Sequence, residues 1–168
     1  MRIAVVSLVL VLLGAACVGG GYSFTGGDVG NAKTVSIQFF ENYADLVKPQ
    51  LSQTFTEKLR DIFVQQTPLE LVERGGDMQF EGAIVDYRIE PLNVQAGREV
   101  NVAQNRLTVV VNVIFTNQVD MDKSFEQKFT RFVDFDATAD INAVEAELHE
   151  QVSQELSENI LNQAIGNW

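Results

Sequence analysis

The sequence predicts an α+β fold, a two-layer sandwich in which two amphipathic helices pack on a mostly antiparallel, mixed sheet of about four strands. Three observations predict it. Two segments, one after Pro49 and one after Asp140, repeat apolar residues at helical spacing. Several others alternate apolar and polar residues, as half-buried strands do. Their order is strand, helix, several strands, helix, which leaves two helix stripes and one sheet face to bury one another.

The chain begins with a different signal. Arg2 precedes Ile3 to Leu13, an apolar run broken only by Ser7, and Gly14, Ala15 and Ala16 lead to Cys17, the single cysteine. A basic start, a short apolar run and small residues mark residues 1–16 as a secretory signal peptide. The run is too short to cross a bilayer, which needs about twenty apolar residues. A lone cysteine in an exported chain asks for an explanation. Small residues before a cysteine resemble the bacterial lipobox, whose cysteine is acylated and becomes the first mature residue. Acyl chains contribute about 0.8 kcal/mol per buried CH₂, so a multiply acylated Cys17 holds a chain on a membrane. Residues 17–32 carry Gly19, Gly20, Gly21, Gly26, Gly27 and Gly30 and form a flexible tether. No strand precedes these glycines and no Gly-Lys-Ser/Thr follows, so they are no phosphate loop.

Residues 33–168 are long enough for a single domain with a real core. Lys33 to Phe40 alternates, with Val35, Ile37 and Phe39 on the buried side. Asn42 to Lys48 is a loop. Pro49 suits a first helical turn, and Leu51, Phe55, Leu59, Ile62 and Phe63 line a helix that ends near Gln66, before Pro68. Leu69 to Glu73 is a short extended piece, and Arg74 to Asp77 is a turn. Met78 to Glu90 is a strand, bent near Gly82 and ended by Pro91. Leu92 to Asn105 is a polar loop or hairpin tip. Arg106 to Thr116 is the clearest strand, with Leu107, Val109, Val111, Val113 and Phe115 on one face. After a turn, Phe125, Phe129, Val133 and Phe135 build the buried face of another strand. Asp140 caps a long helix striped by Ile141, Val144, Leu148, Val152, Leu156, Ile160 and Ala164. A helical crossover after the first strand would set it parallel to a neighbour.

Composition excludes several functions. Lys and Arg total 12 against 23 Asp and Glu, a net charge of −11. Removing residues 1–16 makes the balance one unit more negative. Nucleic acid and generic anionic membrane surfaces reward basic proteins, so both are poor partners. One cysteine forms no disulfide within the chain, and one histidine, His149, supplies no zinc site. His149 is expected to be solvated or half-buried in the last helix. No nucleophile–histidine motif is visible. Asp120/Asp122 and Asp134/Asp136 lack the glycine and closing glutamate of a calcium loop. Catalysis, metal and cofactor are therefore not expected. The strands carry outward bases at Arg88, Arg98, Arg106, Lys128 and Arg131. They suit either an anionic group or cross-strand pairing with Glu81, Glu90, Glu99, Glu126 or Asp134, and pairing is the favoured reading.

Several segments carry a family resemblance: the signal with Cys17, Gly21-Tyr22-Ser23-Phe24-Thr25-Gly26, Thr34 to Phe40, Leu51 to Glu57, Gly76 to Gly82, Asn105 to Thr108 and the closing Asn167-Trp168. Together they resemble the LptE family of lipopolysaccharide-assembly lipoproteins, in the form found in Bacteroidetes. The resemblance implies a lipoprotein anchored through Cys17 to the periplasmic leaflet of the outer membrane. It implies a plug inside an LptD-like β-barrel that helps the barrel assemble and pass lipopolysaccharide to the surface. It also suggests basic lipopolysaccharide contacts, for which Arg98, Arg106 and Arg131 are the candidates. Val18 to Gly21 lack the acidic run of surface-exported lipoproteins, which places the domain on the periplasmic side. The alternative is another envelope lipoprotein, a pilotin or scaffold for a secretion or division complex. A lipid-anchored hydrolase is poorly supported by so few candidate groups.

Overall fold

The computed structural model describes residues 29–92 and 103–166. Its elements are β1 (Thr34–Ile37), β2 (Glu41–Asn42), α1 (Pro49–Gln66), β3 (Glu70–Leu71), β4 (Met78–Leu92), β5 (Gln104–Asn117), a 3₁₀ turn (Met121–Lys123), β6 (Phe125–Asp136) and α2 (Ile141–Ile165). One mixed sheet has the order β3-β1-β4-β5-β6, with β2 also on β4. β1 runs parallel to β3 and β4, and β2 parallel to β4. The β4–β5 and β5–β6 pairs are antiparallel. The expected crossover is thus present and contains α1. The sheet exceeds four strands by β2 and β3, each two residues long.

Both helices cover one sheet face, and their stripes are those the spacing predicts. Leu51, Phe55, Leu59, Ile62 and Phe63 of α1 are buried, as are Leu148, Val152, Leu156, Ile160 and Ala164 of α2. Asp140 caps α2 by accepting from Asn142 N–H at 3.0 Å. Leu107, Val109, Val111, Val113 and Phe115 of β5 are at most 1% exposed. A chain of aromatic contacts crosses the core from α1 to β6. Phe63 meets Phe80 at 4.7 Å between ring centres, Phe80 meets Phe115 at 4.6 Å, and Phe115 meets Phe125 at 5.2 Å.

β4 changes parity midway. Met78, Phe80 and Ile84 are buried, and beyond them Tyr87 is. Val85 is an extra residue: Ile84 pairs with Val111 and Asp86 with Val110, a bulge that turns the following side chains over. The register break therefore lies at Val85, not at Gly82. Gly82 answers another constraint. Its φ is +155°, and a Cβ there would lie 2.0 Å from Asn112 O and 2.7 Å from the Phe40 ring.

Two other expectations are corrected. Phe39 is 53% exposed, whereas Phe40 is fully buried. Regular strand ends at Ile37, Phe40 N–H donates to Thr56 Oγ1 at 3.1 Å, and the Phe40 ring packs edge-on against Phe55. Pro91 does not end β4; it pairs with Asn105. Ala137 N–H donates to Ala103 O. Strand alternation then points Asn105's backbone groups towards β6, so Pro91 faces it as a non-bonded pair and its missing N–H costs no ladder bond.

The start of the sheet is tied by side chains. Asp77 accepts from Lys33 N–H at 2.8 Å and Thr34 N–H at 3.0 Å, and Asp77 N–H donates back to Thr34 Oγ1. These bonds, the Lys33 amide first, hold the Asp77 carboxyl below its usual range. At the β1 edge, Gln38 N–H donates to Phe80 O, so Ile37 O points away from β4. The Arg60 guanidinium donates to that oxygen through Nε at 3.3 Å and Nη2 at 2.9 Å, occupying the place of a further strand.

Gly82→Ala is expected to destabilise the domain by about 2–4 kcal/mol, because the new methyl meets β5 backbone that cannot retreat. Phe80→Ala is expected to cost about 3–5 kcal/mol through the cavity it opens. Urea unfolding followed by circular dichroism measures both.

Candidate interaction surface

The sheet face away from the helices is uncovered among the described residues, and its charged side chains are largely paired. Arg106 forms a bidentate pair with Asp134 across β5 and β6, Nε–Oδ1 at 2.7 Å and Nη2–Oδ2 at 2.9 Å. Its guanidinium lies 3.6 Å above the centre of the Phe132 ring. The Arg106 bond holds the Asp134 carboxyl below its usual range, and Asp134 raises Arg106. Arg88 pairs with Asp86 and, at 3.3 Å, with Glu90. The favoured cross-strand pairing is thus found at Arg106, whereas Arg88 pairs along its own strand, with Asp86 and Glu90 of β4. Lys128 is exposed on the same face and makes no ion pair among the described residues.

The candidate residues do not form one cluster. Arg131 is half-buried, and its alternation sets it with Phe129 and Val133 on the helix side of β6, opposite Arg106. It is therefore not outward on the open face, and its Nη1 donates to Thr130 O at 2.9 Å. Cys17 and Arg98 lie outside the described residues.

A polar cluster that spacing alone did not reveal sits under α2. His149 is 2% exposed, fully inside where a solvated or half-buried position was expected. Its ring meets Tyr87 edge-on, with Nε2 3.3 Å from Tyr87 Oη. Tyr87 donates to Glu145 Oε1 at 3.0 Å, and Lys48 pairs with the same oxygen at 2.6 Å. Because Tyr87 gives its proton to Glu145, the proton of the His149–Tyr87 contact sits on Nε2; Nδ1 is buried without a partner among the described residues. Burial lowers His149, with Glu145 opposing and Lys48 reinforcing the shift. Burial raises Tyr87, and its bond to Glu145 adds to this. Burial pushes Glu145 up, but the bonds from Lys48 and Tyr87, with the charge of Lys48 and a smaller contribution from His149, outweigh it and leave it low. The cluster joins the start of α1, β4 and α2, which is a structural task.

Large apolar side chains emerge together between β1 and α1: Phe39, Tyr43, Leu46 and Val47 are 50–70% exposed. Phe39 and Val47 border a hollow of about 230 Å³ with Glu41, Asn42, Pro49 and Ser52. Exposed apolar side chains grouped in this way offer area that a partner can bury. No helix of the described residues is long and apolar enough to cross a membrane.

Residues 32–164 match the LptE family, described as lipopolysaccharide-assembly. The chain belongs to the LptE family. It is thereby a lipopolysaccharide-assembly lipoprotein of the cell envelope, in a family of non-enzymatic lipoproteins. No curated protein matches this LptE-family chain. Among solved structures it resembles a minor lipoprotein from Acinetobacter baumannii, with TM-score 0.53 and 13% identity over 81% of this chain and 94% of that one. It also resembles a hypothetical protein from Chlamydia trachomatis, with TM-score 0.54 and 8% identity over 81% and 99%. Identities this low show a shared fold.

The lowered His149 gives a pH dependence of definite sign. The unfolded chain takes up a proton near pH 6.5, while the folded chain resists until lower pH. Stability is therefore full above 6.5 and falls as pH drops from 6.5 to the folded value. Thermal unfolding between pH 7.5 and 5.5 (on the order of one unit either side of the imidazole range) is expected to show this decline, and His149→Gln is expected to flatten it. Glu145 adds a separate loss that begins only near pH 4.5.

Proposed function

We propose that this LptE-family chain is an outer-membrane lipoprotein that plugs an LptD-like β-barrel, assists its assembly and helps deliver lipopolysaccharide to the outer membrane. Residues 1–16 direct export and are removed. Acyl chains on Cys17 then hold the domain against the inner leaflet of the outer membrane, facing the periplasm. The observation that carries this reading is the family match over residues 32–164. The rest of the molecule supports it. Its buried polar cluster serves packing, and its exposed apolar side chains at Phe39, Tyr43, Leu46 and Val47 offer a partner something to bury.

Direct lipopolysaccharide contact through Arg98, Arg106 and Arg131 has a particular cost at Arg106. A phosphate there must displace Asp134, the carboxylate already bound in bidentate fashion. Contact by exchange gives opposite effects for two variants. Asp134→Asn should strengthen capture of a lipopolysaccharide photoprobe by about threefold, and Arg106→Ala should weaken it by about as much, as exposed charge pairs do. Unchanged capture in both removes Arg106 from the contact.

The main reading is tested in cells. Detergent extracts should yield the chain bound to a large β-barrel, and photocrosslinkers at Tyr43 or Leu46 should capture that barrel. Labelled palmitate should appear on the chain and vanish with Cys17→Ala. A chain that purifies alone, with normal lipopolysaccharide export after its depletion, defeats the proposal.

A further inference from the structure

We propose that Trp168 seats its indole in the hollow where α2 ends against the β5–β6 turn, closing that corner of the sandwich. This goes beyond the proposed function and does not rest on it.

The hollow holds about 330 Å³ and lies between Lys123, Ser124 and Phe125 on one side and Gln163, Ala164 and Gly166 on the other. Ala164 is 4% exposed and Phe125 is half-buried, so an incoming ring meets apolar surface. Phe125 stands 5.2 Å from Phe115 and 6.2 Å from Phe129, ring centre to ring centre. One more ring beside it extends the aromatic chain that crosses the core, since such pairs form at about 4.5–7 Å.

Chain connection names the occupant. α2 ends at Ile165, and Gly166 leaves it in an extended conformation, φ −70° and ψ 135°. Trp168 is the second residue after Gly166. Consecutive Cα atoms lie about 3.8 Å apart, so the Trp168 Cα stays within about 7.6 Å of Gly166, which itself lines the hollow. So short a link gives the ring an effective concentration at least on the order of millimolar. Tyr22 and Phe24, the other aromatic residues outside the described ones, join the domain at Val29, whose own hollow is formed with Asn117 and Val119. The corner also suits the indole. Its N–H only donates, and it takes a partner when buried. Gly166 N–H donates to Asn162 O at 2.8 Å, which leaves the Gln163, Ala164 and Ile165 carbonyls beyond the helical ladder as acceptors. The Asp122 carboxylate borders the same hollow and offers another. The last turn of α2 has no basic residue. Lys123 reaches that helix end from the turn, with Asp120 3.8 Å away, and its cation suits the face of an indole. A seated ring thus ties the start of β6 to the end of the helix that covers it.

Trp168 is the single tryptophan, so the fluorescence of the full chain, purified in detergent, reports this ring alone. The folded chain is expected to emit at shorter wavelength than the unfolded one. Acrylamide should quench it weakly, and a detergent brominated on its alkyl chain should not quench it. Urea unfolding followed by circular dichroism supplies a second readout. Trp168→Ala should raise the unfolding constant about tenfold, as an aromatic pair with part of its burial is worth, and Trp168→Phe should recover most of that loss. The losses from Trp168→Ala and Phe125→Leu should be less than additive, because the two rings touch. Acrylamide quenching as strong as in the unfolded chain overturns the proposal. Strong quenching by the brominated detergent, which sets the ring in lipid, overturns it too, as does shielding that appears only when the chain is concentrated, which sets the ring against a second copy. An unchanged unfolding constant in Trp168→Ala, or full additivity with Phe125→Leu, is equally fatal.

Discussion

The structure depends on β4 keeping one face apolar along its whole length while its neighbours change. On one side β4 receives the parallel strands β1 and β2, and on the other it carries antiparallel β5. Only one sheet face is covered by helices, so a strand that lost step would put half its apolar residues into water. The extra residue at Val85 sets the step. It turns Ile84 and Tyr87 to the same side, where Ile84 joins the core and Tyr87 reaches Glu145 and His149. The ordering of α2 over the far half of the sheet follows from that single insertion.

Much of this was legible in the sequence because long periodic segments carry their own signal. α1, α2 and β5 appear where their spacing places them, and the Asp140 cap is where its residue type suggests. The misses have physical causes. β2 is two residues long, too short to display any period, and lies where a loop was expected, whereas β3 falls inside the short extended piece read at Leu69 to Glu73. Phe39 and Phe40 exchange places because the strand stops before them and the chain then answers to Thr56 and Phe55. Pro91 reads as a terminator, yet its orientation away from a bonded pair is fixed only by the register of strands far along the chain. Among the candidate site residues, the Arg106–Asp134 pair was legible as cross-strand charge. Arg131 was misread because alternation along β6 sets it on the helix side. His149 was misjudged because the buried face of α2 is wider than its apolar stripe and also takes in Ser153 and Ser157.

Membership of a lipopolysaccharide-assembly family sits beside an acidic molecule in which several of the basic side chains are held by carboxylates. Among the described residues Arg106, Arg88, Lys48, Lys58 and Lys123 each have a carboxylate partner. In a strongly acidic protein this arrangement limits indiscriminate attraction to anionic lipid. Contact with an anionic ligand then requires exchange at particular positions rather than attraction to a broad basic face.

The guanidinium of Arg60 on Ile37 O has a consequence for assembly. It stops the sheet at the β1 side, where β3 is only two residues long, while β6 at the far side stays open. At the β1 side an incoming strand finds a cation in place of a backbone acceptor, which guards the short parallel corner of the sheet against edge-to-edge aggregation.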